Sequence, residues 1–219
     1  MKLMRFQKWG VGIGLCAALA VFAADNVRFE GRPGSKVKVD GTSTVHDWTV
    51  ESQAFRGTME VPADFASNPA AAKSAKVEIT IPVRSLKSGK TAMNNIMWEA
   101  MKMKDHPNIV YKLIELTPKA GGAQGTTAQF DAKGTLTVAG VTRTNTMPVT
   151  IEKTGDNKAK ATGTTTVKMT DFGIKPPAPT VGLGFIKTGD DVKIAFEWHA
   201  EQAAAAVAVP GSPKDLTVQ

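Results

Sequence analysis

The chain has 219 residues, with 27 Lys and Arg against 20 Asp and Glu, a net charge of +7, three histidines and one cysteine. That length is enough for one sizeable core, and a single cysteine excludes an intramolecular disulfide, so apolar packing must hold the fold. The basic excess alternates along segments instead of gathering in runs, which argues against nucleic acid as a partner.

Lys2, Arg5 and Lys8 precede an apolar and glycine run from Val11 to Phe22, and Val21-Phe22-Ala23 resembles an export-peptidase site. At about a dozen residues the run is too short for a membrane span. Residues 1–23 are therefore expected to be a signal peptide and the mature protein to be exported, to the periplasm or the extracellular space. Cys16 leaves with that segment, and the bulky Leu15 before it disfavours a lipid anchor.

Residues 24–34 read as a lead-in, followed by expected strands at 35–40, 44–51, 54–61, 75–81 and 108–116. Between the last two, "TAMNNIMWEAMKMK" (91–104) places Met93, Met97, Ala100 and Met101 near one helical face, and Asp105-His106-Pro107 stops it. Period-2 runs follow. Ala128, Phe130, Ala132, Gly134, Leu136 and Val138 share one face, and Ala139-Gly140 forms a tight turn. Met147, Val149 and Ile151 continue the pattern, then Ala159, Ala161, Gly163, Thr165, Val167 and Met169, then Val192, Ile194, Phe196 and Trp198. Residues 201–219 lose the alternation and read as a flexible tail. About eight antiparallel strands with one short helix predict a mainly β, closed barrel over residues 35–200. An outer-membrane barrel is disfavoured by the single tyrosine, Tyr111, where aromatic girdles would be needed.

The inner faces are rich in alanine and glycine. Either the missing volume is a ligand cavity, or Trp48, Phe55, Trp98, Phe130, Phe196 and Trp198 lean across and fill it. Composition leaves both open.

Chemistry-bearing residues are few. His46 and Asp47 are adjacent, so on a regular strand they face opposite sides and cannot share a substrate. Val37 and Val39 have the opposite parity to Trp48 and Val50, which predicts a bulge or break near 41–43. For His46 three roles compete: a structural histidine near a barrel end, a ligand contact and a catalytic base. His46, His106 and His199 lie on distant segments without zinc-site spacing. "DFG" (171–173) has no kinase motifs around it, Asp171 reads as a turn cap, and no G-x-S-x-G occurs. No catalytic residue and no metal site are expected, and the chain does not read as an enzyme.

Four strings together resemble the YceI family: "GTLTVAGVT" (134–142) its G-x-LT-x-x-GVT signature, "MKMKDHPNIVYKL" (101–113) the stretch after its helix, "VKMTDFGI" (167–174) its strand ending in DFG, and "VDGTSTVHDWTVESQAFRGTMEV" (39–61) its opening strand pair. They occur in family order across roughly 35–200. The resemblance implies a lipocalin-like barrel that encloses a polyisoprenoid or similar long-chain amphiphile in an apolar tunnel, for carriage or sequestration. An isoprenoid quinone, a polyprenyl lipid or a fatty-acid derivative would be the bound ligand, with no separate cofactor. Many relatives have an arginine just before DFG; Met169-Thr170 stands there here, so no head-group contact carries over.

On these faces and this resemblance, the expected tunnel lining is His46, Trp48, Met93, Met97, Met101, Phe130, Ala132, Gly134, Ala161, Gly163, Phe172 and Phe196. Lys87, Lys90 and Arg143 are candidates for an anionic head group. The helix and the 171–184 loop would cover the barrel mouth, and a homodimer is compatible with the pattern. Two rival readings are an enzyme of unrecognised chemistry using His46 and a ligand-free interaction scaffold.

Overall fold

In a computed structural model, the described residues are 26–63, 65, 68–178 and 186–204. The expected signal peptide, Cys16, the 179–184 part of the late loop and most of the expected tail lie outside them.

Ten strands form one antiparallel sheet: β1 (Asn26–Gly31), β2 (Lys36–Ser43), β3 (Trp48–Ser52), β4 (Arg56–Pro62), β5 (Lys76–Pro82), β6 (Asn108–Gln124), β7 (Thr127–Val138), β8 (Val141–Gly155), β9 (Lys158–Lys168) and β10 (Thr188–Gln202). Their order is β1-β4-β5-β6-β7-β8-β9-β10-β2-β3, and β1 also pairs with β10, so eight strands close into a ring. The other two complete staves that are broken. β1 and β2 run along the same edge of β10, with Gly31 opposite Ala200 and Lys36 opposite Glu197. The extra residues are taken up at Arg32-Pro33-Gly34-Ser35, where Gly34 has φ 97°. β3 and β4 pair with β2 and β1 respectively, and break at Gln53-Ala54-Phe55.

This corrects the expectation that 24–34 is a lead-in. Val27 and Phe29 pack against the core from β1; a six-residue alternation ended by proline and glycine is too short to stand out in sequence. The break expected at 41–43 is the β2–β3 turn at 44–47. There Ser43 Oγ donates to the His46 carbonyl at 2.7 Å and accepts from the His46 N–H at 3.2 Å.

The Ala139-Gly140 turn is as expected, both residues having positive φ (50° and 80°) between the paired Val138 and Val141. A β-carbon on Gly140 would stand 2.5 Å from the His106 ring, so the turn requires glycine there for space as well as conformation. β6 runs to Gln124 instead of ending near Leu116, because register shifts at Leu113/Glu115 and Pro118/Ala123 interrupt its alternation. Helix α1 (Thr91–Ala100) is shorter than expected: Lys102 adopts φ 53° and ends the helical run.

The inner faces of β7 to β10 are those expected from the alternation. Phe130, Ala132, Met147, Val149, Ile151, Ala161 and Trp198 are buried in one core. At one end of the ring, Ala100 and Met101 pack with Leu136, Val138 and Val141 around buried Ala139, Phe172 and Ile174. Elsewhere Phe65, from the β4–β5 connection, stacks on Phe130 with centroids 5.8 Å apart.

Candidate ligand cavity

Inside the ring lies a cavity of about 130 Å³. Every stave contributes to its wall: Val37, Met59, Ile79, Tyr111, Leu113, Ala132, Leu136, Met147, Val149, Ala161, Ile194, Phe196 and Trp198 are among its lining. None of the lining residues is charged, and the polar ones besides the two aromatic donors are Asn145 and Thr165. An apolar void of roughly 150 Å³ holds a benzene-sized molecule. This cavity thus fits a short piece of a prenyl or acyl chain as it stands, and a longer chain requires the surrounding side chains to repack.

The lining expected from sequence divides three ways. Ala132, Ala161 and Phe196 line the cavity. Gly134 and Gly163 face inward but offer no ligand volume. A β-carbon on Gly134 would overlap the Tyr111 ring, and one on Gly163 would stand 2.6 Å from the Phe196 ring. The Phe196 ring leans over Gly163 as the filled-core alternative expects, whereas the ring over Gly134 is Tyr111, which is not among the six expected to fill the space. Phe130 is fully buried against Phe65, outside the lining. Trp48 lies over Gly41 and donates from Nε1 to the Thr42 carbonyl at 3.1 Å. Met93 and Met97 from α1, and Met101 just after its end, are half-buried against the core, and Phe172 belongs to the smaller cluster at the helix end.

His46 is away from the cavity. It is exposed on the β2–β3 turn, its Nδ1 2.9 Å from the Asp47 carbonyl oxygen. The turn removes it from the strand on which it would have faced inward. Of the head-group candidates, Lys87 is exposed with Nζ 4.1 Å from the centre of the Trp98 ring, a cation–π contact on the outside of the barrel. Lys90 and Arg143 are exposed, and Arg143 Nη1 donates to the Thr142 carbonyl at 3.3 Å. None of the three is among the lining residues, although Arg143 is the cross-strand partner of Leu136, which is. The turn before Gly173 is held by Asp190, not by Asp171: Thr170 donates to it from N at 2.9 Å and from Oγ1 at 2.6 Å. These bonds hold the Asp190 carboxyl below its ordinary range, the side-chain bond most of all.

Tyr111, Asn145 and Thr165 were missed in sequence. Their signal is a polar residue at an inward position of an otherwise apolar face: Asn145 precedes Met147 and Val149 in parity, and Thr165 follows Ala161 and Gly163. Burial pushes the Tyr111 phenol up to about 12. Among the described residues, no group of three or more His, Cys, Asp or Glu is placed to hold a metal ion.

A closed antiparallel barrel around an uncharged cavity, with a helix at one end, defines a lipocalin-like binding barrel as the class. The description of a YceI-like domain matches residues 23–200, and the chain belongs to the YceI family. BcnA of Burkholderia cenocepacia superposes with a TM-score of 0.60 at 21% identity, over 75% of this chain and 95% of its own. A polyisoprenoid binding domain from Saccharophagus degradans, implicated in plant cell wall breakdown, gives 0.62 at 13% identity over 80% and 98%. The YCEI protein of Campylobacter jejuni gives 0.55 at 18% over 71% and 85%. At these identities the likeness is one of fold. No curated protein matches the chain.

Proposed function

We propose that this is an exported protein that encloses the apolar chain of a polyisoprenoid or similar long-chain amphiphile, for carriage or sequestration and without catalysis. The observation that carries the reading is the uncharged cavity inside a closed ring, whose walls reward burial of hydrocarbon at about 25 cal/mol per Å². The polyisoprenoid-binding description of the Saccharophagus degradans domain supports the ligand class. The flexible Met93, Met97 and Met101 side chains against the core would let the interior enlarge around a chain longer than the cavity.

Export rests on the leader-like residues 1–23. Among the described residues no helix is long and apolar enough to cross a membrane.

Protein purified without detergent from its native cells, analysed by native mass spectrometry and solvent extraction, tests the binding reading. A retained prenyl or acyl compound is the expected result; protein that is empty and takes up no added farnesol overturns it. N-terminal sequencing of the protein outside the cytoplasm should begin near Ala24.

A further inference from the structure

Three buried side-chain atoms among the described residues have no hydrogen-bond partner: Tyr111 Oη, Asn145 Oδ1 and Trp198 Nε1. Two of them are neighbours. The Tyr111 ring crosses from β6 over Gly134 of β7, and Gly134 is the direct cross-strand partner of Asn145 on β8, all on the inner face. A directly opposed pair brings β-carbon positions within about 5.5 Å, so the phenol is delivered beside the amide. Asn145 Nδ2 points to Thr165 Oγ1 at 3.4 Å, which orients the amide so that Oδ1 is the atom left over.

A buried polar atom without a partner is costly, and these two sit on the wall of an otherwise apolar cavity. Their chemistry is complementary: a phenol O–H can donate, and an amide oxygen only accepts. One ligand oxygen that both accepts and donates satisfies the two together. A hydroxyl does this. A ketone or ether oxygen satisfies Tyr111 and leaves Asn145 unpaired. A phosphate or carboxylate would bring charge among lining residues that include no cation; Arg143, two residues before Asn145 on the same face of β8, is exposed and outside that lining. Leu136, the cross-strand partner of Tyr111, also belongs to the cluster beneath the end of α1, so the polar spot lies toward the helix end of the ring.

We infer that Tyr111 and Asn145 form an anchor for a neutral hydroxyl group, which selects a long-chain alcohol or quinol over a phosphate, a carboxylate or a ketone. The ligand hydroxyl accepts from Tyr111 Oη and donates to Asn145 Oδ1, with its chain directed away from the helix. The inference rests on the cavity being the ligand site. Specificity then comes from two neutral groups inside the barrel and not from the surface lysines.

The test is calorimetric titration of the full mature protein, stripped of lipid, with farnesol, farnesyl methyl ether and farnesyl monophosphate. The ether keeps the oxygen acceptor and loses the donor. Wild type should bind farnesol about tenfold more tightly than the ether, and the phosphate most weakly. Asn145→Leu should abolish the preference for alcohol over ether. Tyr111→Phe, which preserves shape, should weaken alcohol and ether alike by about fivefold. Because Tyr111 is the only tyrosine, its phenolate absorbance also reports occupancy: bound farnesol and bound ether should both raise its titration, since each accepts from the protonated phenol. Equal affinities for alcohol and ether, or a preference for the phosphate, would overturn the anchor and leave the cavity reading standing. Failure of all three probes to bind would overturn both.

Discussion

Tyr111 and Gly134 occupy one volume: the ring of the first lies where the β-carbon of any other residue at the second would be. The pairing sets both the shape of the cavity and the position of its phenol. Gly134→Ala must displace the ring, and overpacking of this kind costs about 1–3 kcal/mol. Denaturant midpoints should show that loss, and Tyr111→Leu in the same chain should recover part of it, since the two sites are coupled. Additive losses in the double variant would show that the ring does not depend on the glycine.

Ala132 is a different case. Its methyl faces the open cavity, and Ala132→Leu would place a larger side chain in ligand volume. Affinity for farnesol should fall at least tenfold with a change in stability under about 1.5 kcal/mol. The larger loss of stability expected of a full core, about 1–3 kcal/mol, belongs instead to Gly163→Leu, where the Phe196 ring and the Pro148 carbonyl stand in the way. Ligand titration and urea unfolding on both variants separate the two behaviours.

Alkaline unfolding should carry the signature of Tyr111. Its folded-state value is raised from 10.0 to about 12, so the folded protein holds a proton that the unfolded chain gives up first. The contribution is fully present below pH 10 and is lost as pH rises toward 12. The slope of stability against pH across that interval should be shallower in Tyr111→Phe than in wild type. Parallel slopes would place the phenol in water.

On the acid side the group to watch is Asp190, held low first by the Thr170 hydroxyl and then by the Thr170 N–H. Its ionised form is the one favoured by folding, so its contribution is present above the ordinary carboxyl value of 3.8 and is lost as pH falls through the lowered folded value. Asp190→Asn should remove that component, and the stability difference between variant and wild type should shrink on acidification below pH 4. A constant difference down to pH 2 would mean that the bonds act without the charge.

Lys87→Gln and Lys90→Gln should leave the relative affinities for farnesol and farnesyl monophosphate unchanged, since neither side chain reaches the cavity. Lys87→Gln should cost under about 1 kcal/mol through its contact with Trp98. A selective loss of phosphate binding in either variant would restore the surface head-group assignment.

Much of the ring was legible because β7 to β10 alternate over eleven residues or more, long enough for a period of two to be unmistakable. The tight turn at Ala139-Gly140 was legible from its residue types. The first stave was not: six residues of β1 and eight of β2, separated by Pro33-Gly34, look like a loop and one short strand. The cavity lining was legible only as a face. Alternation says which side of a strand a residue occupies, and not whether a ring from the next strand already covers it, which is why Ala132 and Gly134 read alike although Ala132 lines the cavity and Gly134 lies under the Tyr111 ring. Strand parity extended back from Trp48 puts His46 inward, but residues 44–47 form the β2–β3 turn. Asn145 does not stand out, because an isolated polar residue on an apolar face carries little weight in a hydrophobic pattern.

The seam of the barrel joins its first described strand to its last, through Phe29, Glu30 and Gly31 opposite Gln202, Glu201 and Ala200, with Arg32 and Glu201 3.2 Å apart beside them. Contacts between such distant parts of a chain are the slowest to form, because the loop between them must be closed first. The cylinder therefore cannot close until β10 is in place, since the ring contains that strand. The three pairs of β1 do not hold that edge alone: β2 continues along it from Glu197 opposite Lys36 to Thr188 opposite Ser43, so the closing stave is fastened to β10 by two separate ladders.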